Sequence, residues 1–397
     1  PVLTFAAAVT VTSGLLVGLV PAMHGARQDL MDTIKAGAHR WRSKGGRVRV
    51  QSVFIVAQVA LSLVVATGAG LLVNSLWRIT RVDPGFDQEN VLVAGVSLPE
   101  AKYDDATQRA AFFEELVARV QQLPGVVSAA ATHMLPFTGS HMTVIRLADQ
   151  PDENWGAVER RHVTPDYFQT MGIPLRSGRA FEASDRADAP KVAIINEELA
   201  RRAFPSERAV GKRMVWGGRT ERHDLEIVGV VASVRAFGLG ADPEPTIYLH
   251  NAQLYPAQDM YIAVRTVVPP TSLVPAVRGI LETLDPQLPL QDVTTMERIV
   301  TGSYGSERLS TLLVGMFAVL ALVLGAVGIY GVMSHVVSQR TRELCIRTAL
   351  GAQRSWVVSM ILRHGVVLAL IGVALGTAAA VLLGKLMRGM LFEIGPG

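Results

Sequence analysis

Few stretches of this sequence place reactive residues at a spacing that chemistry could use, and each falls short. The nearest approach to a phosphate-cradling loop is Gly211-Lys212-Arg213. Such a loop needs G-x-x-x-x-G-K-[ST], because the glycines let backbone N–H groups close on the phosphates and the hydroxyl seats Mg²⁺. Here Arg213 follows the lysine and no glycine stands at the upstream position, so ATP hydrolysis by that route is excluded. There is no H-E-x-x-H, no C-x-x-C and no G-x-S-x-G, and the nine histidines are scattered, so neither a metal centre nor a serine nucleophile is expected. Asp104 with Asp105 and Glu197 with Glu198 are sequence neighbours whose side chains point apart on most backbones, which suits solvated surface better than paired acid and base. No catalytic, cofactor-binding or metal-binding residue is assigned, and the chain is read as not an enzyme.

What remains is a charged segment, Ser338 to Ser355, set between two apolar runs, Leu309 to Val337 and Gly365 to Gly384. Each run reaches the roughly 20 residues that a helix needs to cross a bilayer core. The segment carries Arg340, Arg342, Arg347 and Arg354 against the single acid Glu343, and short loops rich in Arg and Lys stay on the cytoplasmic side. Arg340, Glu343 and Arg347 fall at helical spacings of three and four, Leu344, Ile346 and Leu350 lie within helical reach of one another, and Gly351 suits a C-cap. The spacing predicts a short amphipathic helix, either resting at the lipid interface or docking on a partner.

The rest of the chain must position that segment. At 397 residues, 49% apolar and only 18% charged, the composition is that of a membrane protein rather than a soluble one. The net charge of +4 is spent largely in two short loops beside apolar runs, so it speaks for membrane orientation and against nucleic acid. Cys345 is the only cysteine, which excludes an internal disulfide.

Taken in order, residues 1–23 read as a first span, with Gly14 and Gly18 at GxxxG spacing. They lack the basic start of a signal peptide. Residues 24–52 read as a basic cytoplasmic linker and 53–77 as a second span ending at Trp77 and Arg78. Residues 78–308 have the composition of a soluble domain. Strands are expected at Val91 to Leu98, Val126 to Thr132, Val192 to Ile195, Leu225 to Val234, Ile247 to Leu249 and Met260 to Arg265. Helices are expected at Thr107 to Leu123, Glu197 to Phe204 and Ser272 to Leu284. Their alternation, over more residues than one core usually serves, predicts two or more small mixed lobes. Residues 309–337 read as a third span, with the glycine-rich face Gly325 to Gly331 suited to close helix contact, and 338–355 as the cytoplasmic segment. Residues 356–388 read as a fourth span with an interfacial start, and 389–397 as an extracytoplasmic tail. The fold class is therefore integral-membrane α-helical spans plus a large α+β extracytoplasmic domain.

The pattern R-T-R-E-L-C-I-R-T-A-L-G-A at Arg340 to Ala352 resembles the cytoplasmic coupling element of FtsX-like permeases, including MacB-like exporters. Val163-Thr164-Pro165-Asp166-Tyr167-Phe168, Met171-Gly172-Ile173-Pro174-Leu175, Gly178-Arg179-Ala180-Phe181 and Ile227-Val228-Gly229-Val230-Val231 resemble, in that order, the extracytoplasmic core of the same family. The resemblance implies that Arg340, Arg342, Glu343, Arg347, Ala349, Leu350, Gly351 and Ala352 contact a separate ABC ATPase subunit in the cytoplasm. It further implies that nucleotide-driven motion there moves the external domain, for export or efflux across the cytoplasmic membrane. A role in envelope signalling without transport, as for FtsX itself, is the other reading. One permease half ending near Met23 and another beginning at Val53 resemble the duplicated, orphan-permease subgroup. The halves would pair with each other or the chain would form a homodimer, and a further external domain upstream and one more span downstream are expected.

Overall fold

The computed structural model describes residues 44–148, 155–205, 207–217, 222–349 and 354–392. The expected first span, most of the basic linker and the last part of the tail lie outside the described residues. The chain divides into two units: residues 71–313 form one, and residues up to 70 together with those from 314 onward form the other.

In chain order the elements are α1 (Lys44–Ile79), β1 (Val91–Ser97), α2 (Ala106–Gln121), β2 (Val126–Thr132), β3 (Met142–Leu147), β4 (Gly156–Val163), α3 (Tyr167–Met171), β5 (Leu175–Gly178) and β6 (Val192–Asn196). Then come α4 (Glu197–Ala203), β7 (Arg213–Gly217), β8 (Arg222–Val231), β9 (Thr246–His250), β10 (Asp259–Thr266), α5 (Val274–Leu284), β11 (Gln291–Thr295), α6 (Met296–Ser303), α7 (Gly305–Ala349) and α8 (Arg354–Phe392). Among the described residues three stretches are long and apolar enough to cross a membrane: Ser52–Ile79, Arg308–Gly331 and Gly365–Lys385.

The unit between α1 and α7 is built from two lobes. In the first, β11-β1-β10-β2 form an antiparallel sheet. Helix α2 starts where the Asp105 carboxylate accepts the Thr107 N–H at 2.7 Å, and it turns Ala110, Phe113, Leu116, Val117 and Val120 onto one buried stripe. That stripe and Val277 and Leu281 of α5 cover one face of the sheet, against Leu92, Val96, Ile262 and Val264.

In the second lobe β4-β3-β7-β8-β6-β9 pair in sequence, and β9 returns to β4 through a parallel ladder, so six strands close into a barrel. Closure leaves no free edge among them. Ile145, Val158, Ile195, Met214, Leu225, Ile227 and Leu249 fill this lobe's own core. Helix α4 is capped by Asn196, whose side chain accepts the Leu199 N–H at 2.9 Å, with Glu197 and Glu198 in its first turn and Arg201 and Arg202 in its last, as the helix dipole favours.

The sheet and the barrel meet at a single backbone pair, Thr132 with Val163. A third core joins them: Val93, Ala130 and Ala263 from the sheet, Ile194, Val228 and Tyr248 from the barrel strands, and Tyr167, Phe168 and Met171 from α3 between them.

Candidate coupling site and load path

The backbones of Arg340, Arg342, Glu343, Arg347 and Ala349 lie in the last turns of α7. Leu350, Gly351 and Ala352 lie outside the described residues. The sequence suggests a separate short helix after the span. Instead, α7 runs unbroken over 45 residues, so span and charged segment are one rod. At 3.6 residues per turn, positions 340, 343 and 347 fall on one face of it.

Within the helical unit, contact is made through small residues. A Cβ added at Gly372 would stand 2.7 Å from Val59 Cβ, and one added at Gly376 would stand 2.8 Å from the Ala60 carbonyl oxygen, so α8 and α1 approach closely where only hydrogen fits. On α7 the same holds at Gly328, whose added Cβ would stand 2.6 Å from Gln58 Oε1. The expected glycine face of that span is thus used at Gly328, with Gly325 facing Ser62 nearby. Ser62, 4% exposed, donates its hydroxyl proton to the Ala321 carbonyl at 2.9 Å, a helix-to-helix bond of the kind apolar surroundings favour. The G-x-x-x-G of Gly372 and Gly376 escaped the reading of the sequence, although its spacing was the available signal.

In the other unit both chain crossings end on one core. Ile79 and Val82, where the chain leaves α1, and Ile299 and Tyr304, where it approaches α7, pack against the core shared by the two lobes. On the entry side Asp87 donates its N–H to the Met171 carbonyl at 2.9 Å, and its carboxylate accepts from Arg265 Nη1 at 2.7 Å. Arg235 donates its N–H to the Pro84 carbonyl at 3.0 Å. On the exit side Thr295 caps α6, Met296 and Val300 of that helix are buried in the core, and Tyr304 alone separates α6 from α7. The residues where the chain enters this unit and those where it leaves thus pack against the same core.

Between α2 and the segment 183–188 lies a cavity of about 760 Å³, walled in part by Glu114, Asp166, Asp185, Arg186, His250 and Gln253. Burial pushes the Glu114 carboxyl up, opposed by the Arg186 charge. Burial also acts to raise Asp185, but the Arg179 fork, at 2.8 and 2.9 Å, and the Glu182 N–H outweigh it and hold the carboxyl low. His250 is pushed down to about 4 by burial, with Asp185 pulling the other way. Asp185 is thus an anion that ties the 179–185 turn, and this cavity takes its charges from structural pairs. Asp285 plays a similar part elsewhere: hydrogen bonds from Lys102 and Tyr103, both 2.8 Å, hold it below its usual range, while burial and the same bond push Tyr103 up to about 12.

Residues 8–284 match the family described as MacB-like periplasmic core domain, and residues 315–396 match the one described as FtsX-like permease C-terminal. The chain is 28% identical over 232 residues to the macrolide export ATP-binding/permease protein MacB 2 of Yersinia pestis bv. Antiqua, covering 56% of this chain and 33% of that protein. It is 27% identical over 228 residues to the macrolide export ATP-binding/permease protein MacB of Agrobacterium fabrum, covering 55% and 34%. The chain spans about a third of the length of the curated relatives it matches. Among solved structures, the periplasmic region of MacB from Actinobacillus actinomycetemcomitans aligns over 57% of this chain and 98% of that one, at 12% identity and a TM-score of 0.39.

Proposed function

The chain belongs to the family of ABC-type permeases that join a MacB-like periplasmic core domain to an FtsX-like C-terminal region, and we propose from that membership that it relays mechanical work. A separate ABC ATPase binds the segment Arg340 to Ala352, which includes the last turns of α7, and its nucleotide cycle moves that end. The motion passes along α7 and its small-residue contacts with its neighbours into the extracytoplasmic domain, which acts on an exported substrate or an envelope partner. The chain crosses the cytoplasmic membrane several times and carries out no chemistry of its own. The relatives named above carry ATP-binding and permease in one printed name. This sequence holds no phosphate-cradling motif, so these 397 residues do not themselves bind ATP by that route.

The observation that carries this reading is the shared anchorage of Ile79, Val82, Ile299 and Tyr304 in one core. A domain that is driven must receive its two connections without slack, and the packing of both chain entries into one core of that domain supports this reading. The test is purification of the full chain from its native membrane. An ABC ATPase should accompany it, and Glu343→Lys should remove that ATPase while the chain still inserts. Retention of the ATPase by the variant, or its absence from both preparations, contradicts the assignment.

A further inference from the structure

The seam between the sheet lobe and the barrel is held less by its one ladder pair than by side chains. Thr132 Oγ1 and the His133 N–H both donate to the His162 carbonyl at 3.1 Å, and Arg161, 2% exposed, donates to the Met134 carbonyl at 3.0 Å while its other arm holds Glu159 at 2.6 Å. Across the same seam runs a chain of imidazoles. The His162 N–H donates to His133 Nδ1 at 2.9 Å, and His133 Nε2 faces His141 Nδ1 at 3.1 Å. The rings of His133 and His141 stack at 5.2 Å between centroids, and His162 stands edge-on to His133 at the same separation.

This arrangement fixes the ring protons of His133 and His141 while both are neutral. A backbone N–H can only donate, so His133 Nδ1 must be bare and the ring proton must sit on Nε2. His133 therefore donates to His141, whose Nδ1 must be bare as well. We propose that this relay is an acid-sensitive latch on the seam, closed while both rings are neutral and opened by a proton on His141. That ring is the exposed member of the chain and so the one solvent reaches. A proton on its Nδ1 confronts the His133 Nε2–H, and two donors face each other. If His133 shifts its own proton to Nδ1 to relieve the clash, it confronts the His162 N–H instead. One of the two bonds is lost in either case, and a protonation event at the surface reaches the backbone of β4.

The charged groups around the relay sharpen the response. Arg160 and Arg161 approach from β4, with Glu159 committed to Arg161, so the field at His133 is positive. Burial first, then His141, Arg160 and Arg161, push His133 down to about 3, and burial holds His162 well below its ordinary range. The two inner rings are thus held in their neutral form. The core shared by the lobes is untouched, so what opens is the seam at residues 131–134 and 160–164, while the lobes stay together. The latch is a property of the domain and stands apart from the assignment of an ATPase partner.

The experiment is hydrogen–deuterium exchange on the full chain in lipid nanodiscs at pH 7.5 and 5.5, with rates corrected for the intrinsic pH dependence of exchange. Protection of the segment 160–164 should fall at least tenfold at the lower pH, while β6 stays within twofold. In His141→Ala, a change at an exposed side chain, the segment should keep its protection within twofold. Equal protection of the wild-type segment at both pH values, or the same tenfold fall in His141→Ala, would overturn the proposal.

Discussion

In the extracytoplasmic domain, Phe168, Met171, Tyr248 and Met296 interlock as large side chains, with the Phe168 and Tyr248 rings 4.9 Å apart and edge-to-face. In the helical unit Gly328, Gly372 and Gly376 sit where an added Cβ would stand within 2.8 Å of a neighbouring helix, and many large apolar side chains, among them Leu320, Leu370 and Leu382, are exposed. The difference follows from the solvent. Where water surrounds a unit, burying large apolar groups is the driving force. Where lipid does, Leu gains nothing by turning inward, and close backbone approach and a bond such as Ser62 to Ala321 decide the packing.

Substitutions test the contrast from the strongest effect downward. Phe168→Ala should cost about 3–5 kcal/mol of domain stability, because it leaves a cavity in the core that joins both lobes. Denaturant unfolding of the full chain in detergent, followed by near-UV circular dichroism, should record it. Gly376→Leu should cost about 1–3 kcal/mol through overpacking against the Ala60 carbonyl, and should lower the melting temperature of the bundle with little effect on the domain transition. A comparable loss in the domain would erase the distinction between the two units.

Acid should act on the domain. His133, His162 and His250 have pKa values in the folded state below that of a free imidazole, so the unfolded chain takes up protons that the fold refuses. Stability is then complete above about pH 6.5 and falls as the pH drops, by about 1.4 kcal/mol per pH unit for each such histidine. Urea midpoints between pH 7.5 and 5.5 should decrease with that sign. At the small end, Arg119→Ala removes an exposed pair with Glu115 and should change stability by less than about 0.5 kcal/mol.

The sequence exposed some elements and hid others for physical reasons. Helix α2 was legible from its apolar stripe and the Pro124-Gly125 stop, and β6 from the buried run Val192 to Ile195. Strand β4 was not, because Glu159-Arg160-Arg161-His162 reads as solvated surface. Arg161 is buried because Glu159, on the same strand, and the Met134 carbonyl, from another part of the fold, both accept from it. Strand β11, Gln291 to Thr295, has no apolar alternation and forms by pairing with β1. The segment Arg340 to Ala352 stood out in the sequence by its resemblance to a family motif, but the continuity of its helical part with the span did not, since a run of arginines beside an apolar stretch signals a membrane boundary and leaves the backbone conformation open.

Cys345, the only cysteine, lies in α7 within the proposed coupling segment and gives the most direct test of the orientation on which the relay depends. Intact cells expressing the full chain are treated with a membrane-impermeant maleimide before and after the cytoplasmic membrane is opened. Labelling of Cys345 only after opening is the predicted result. Labelling from outside in intact cells would put the coupling segment on the wrong side of the membrane and contradict the account.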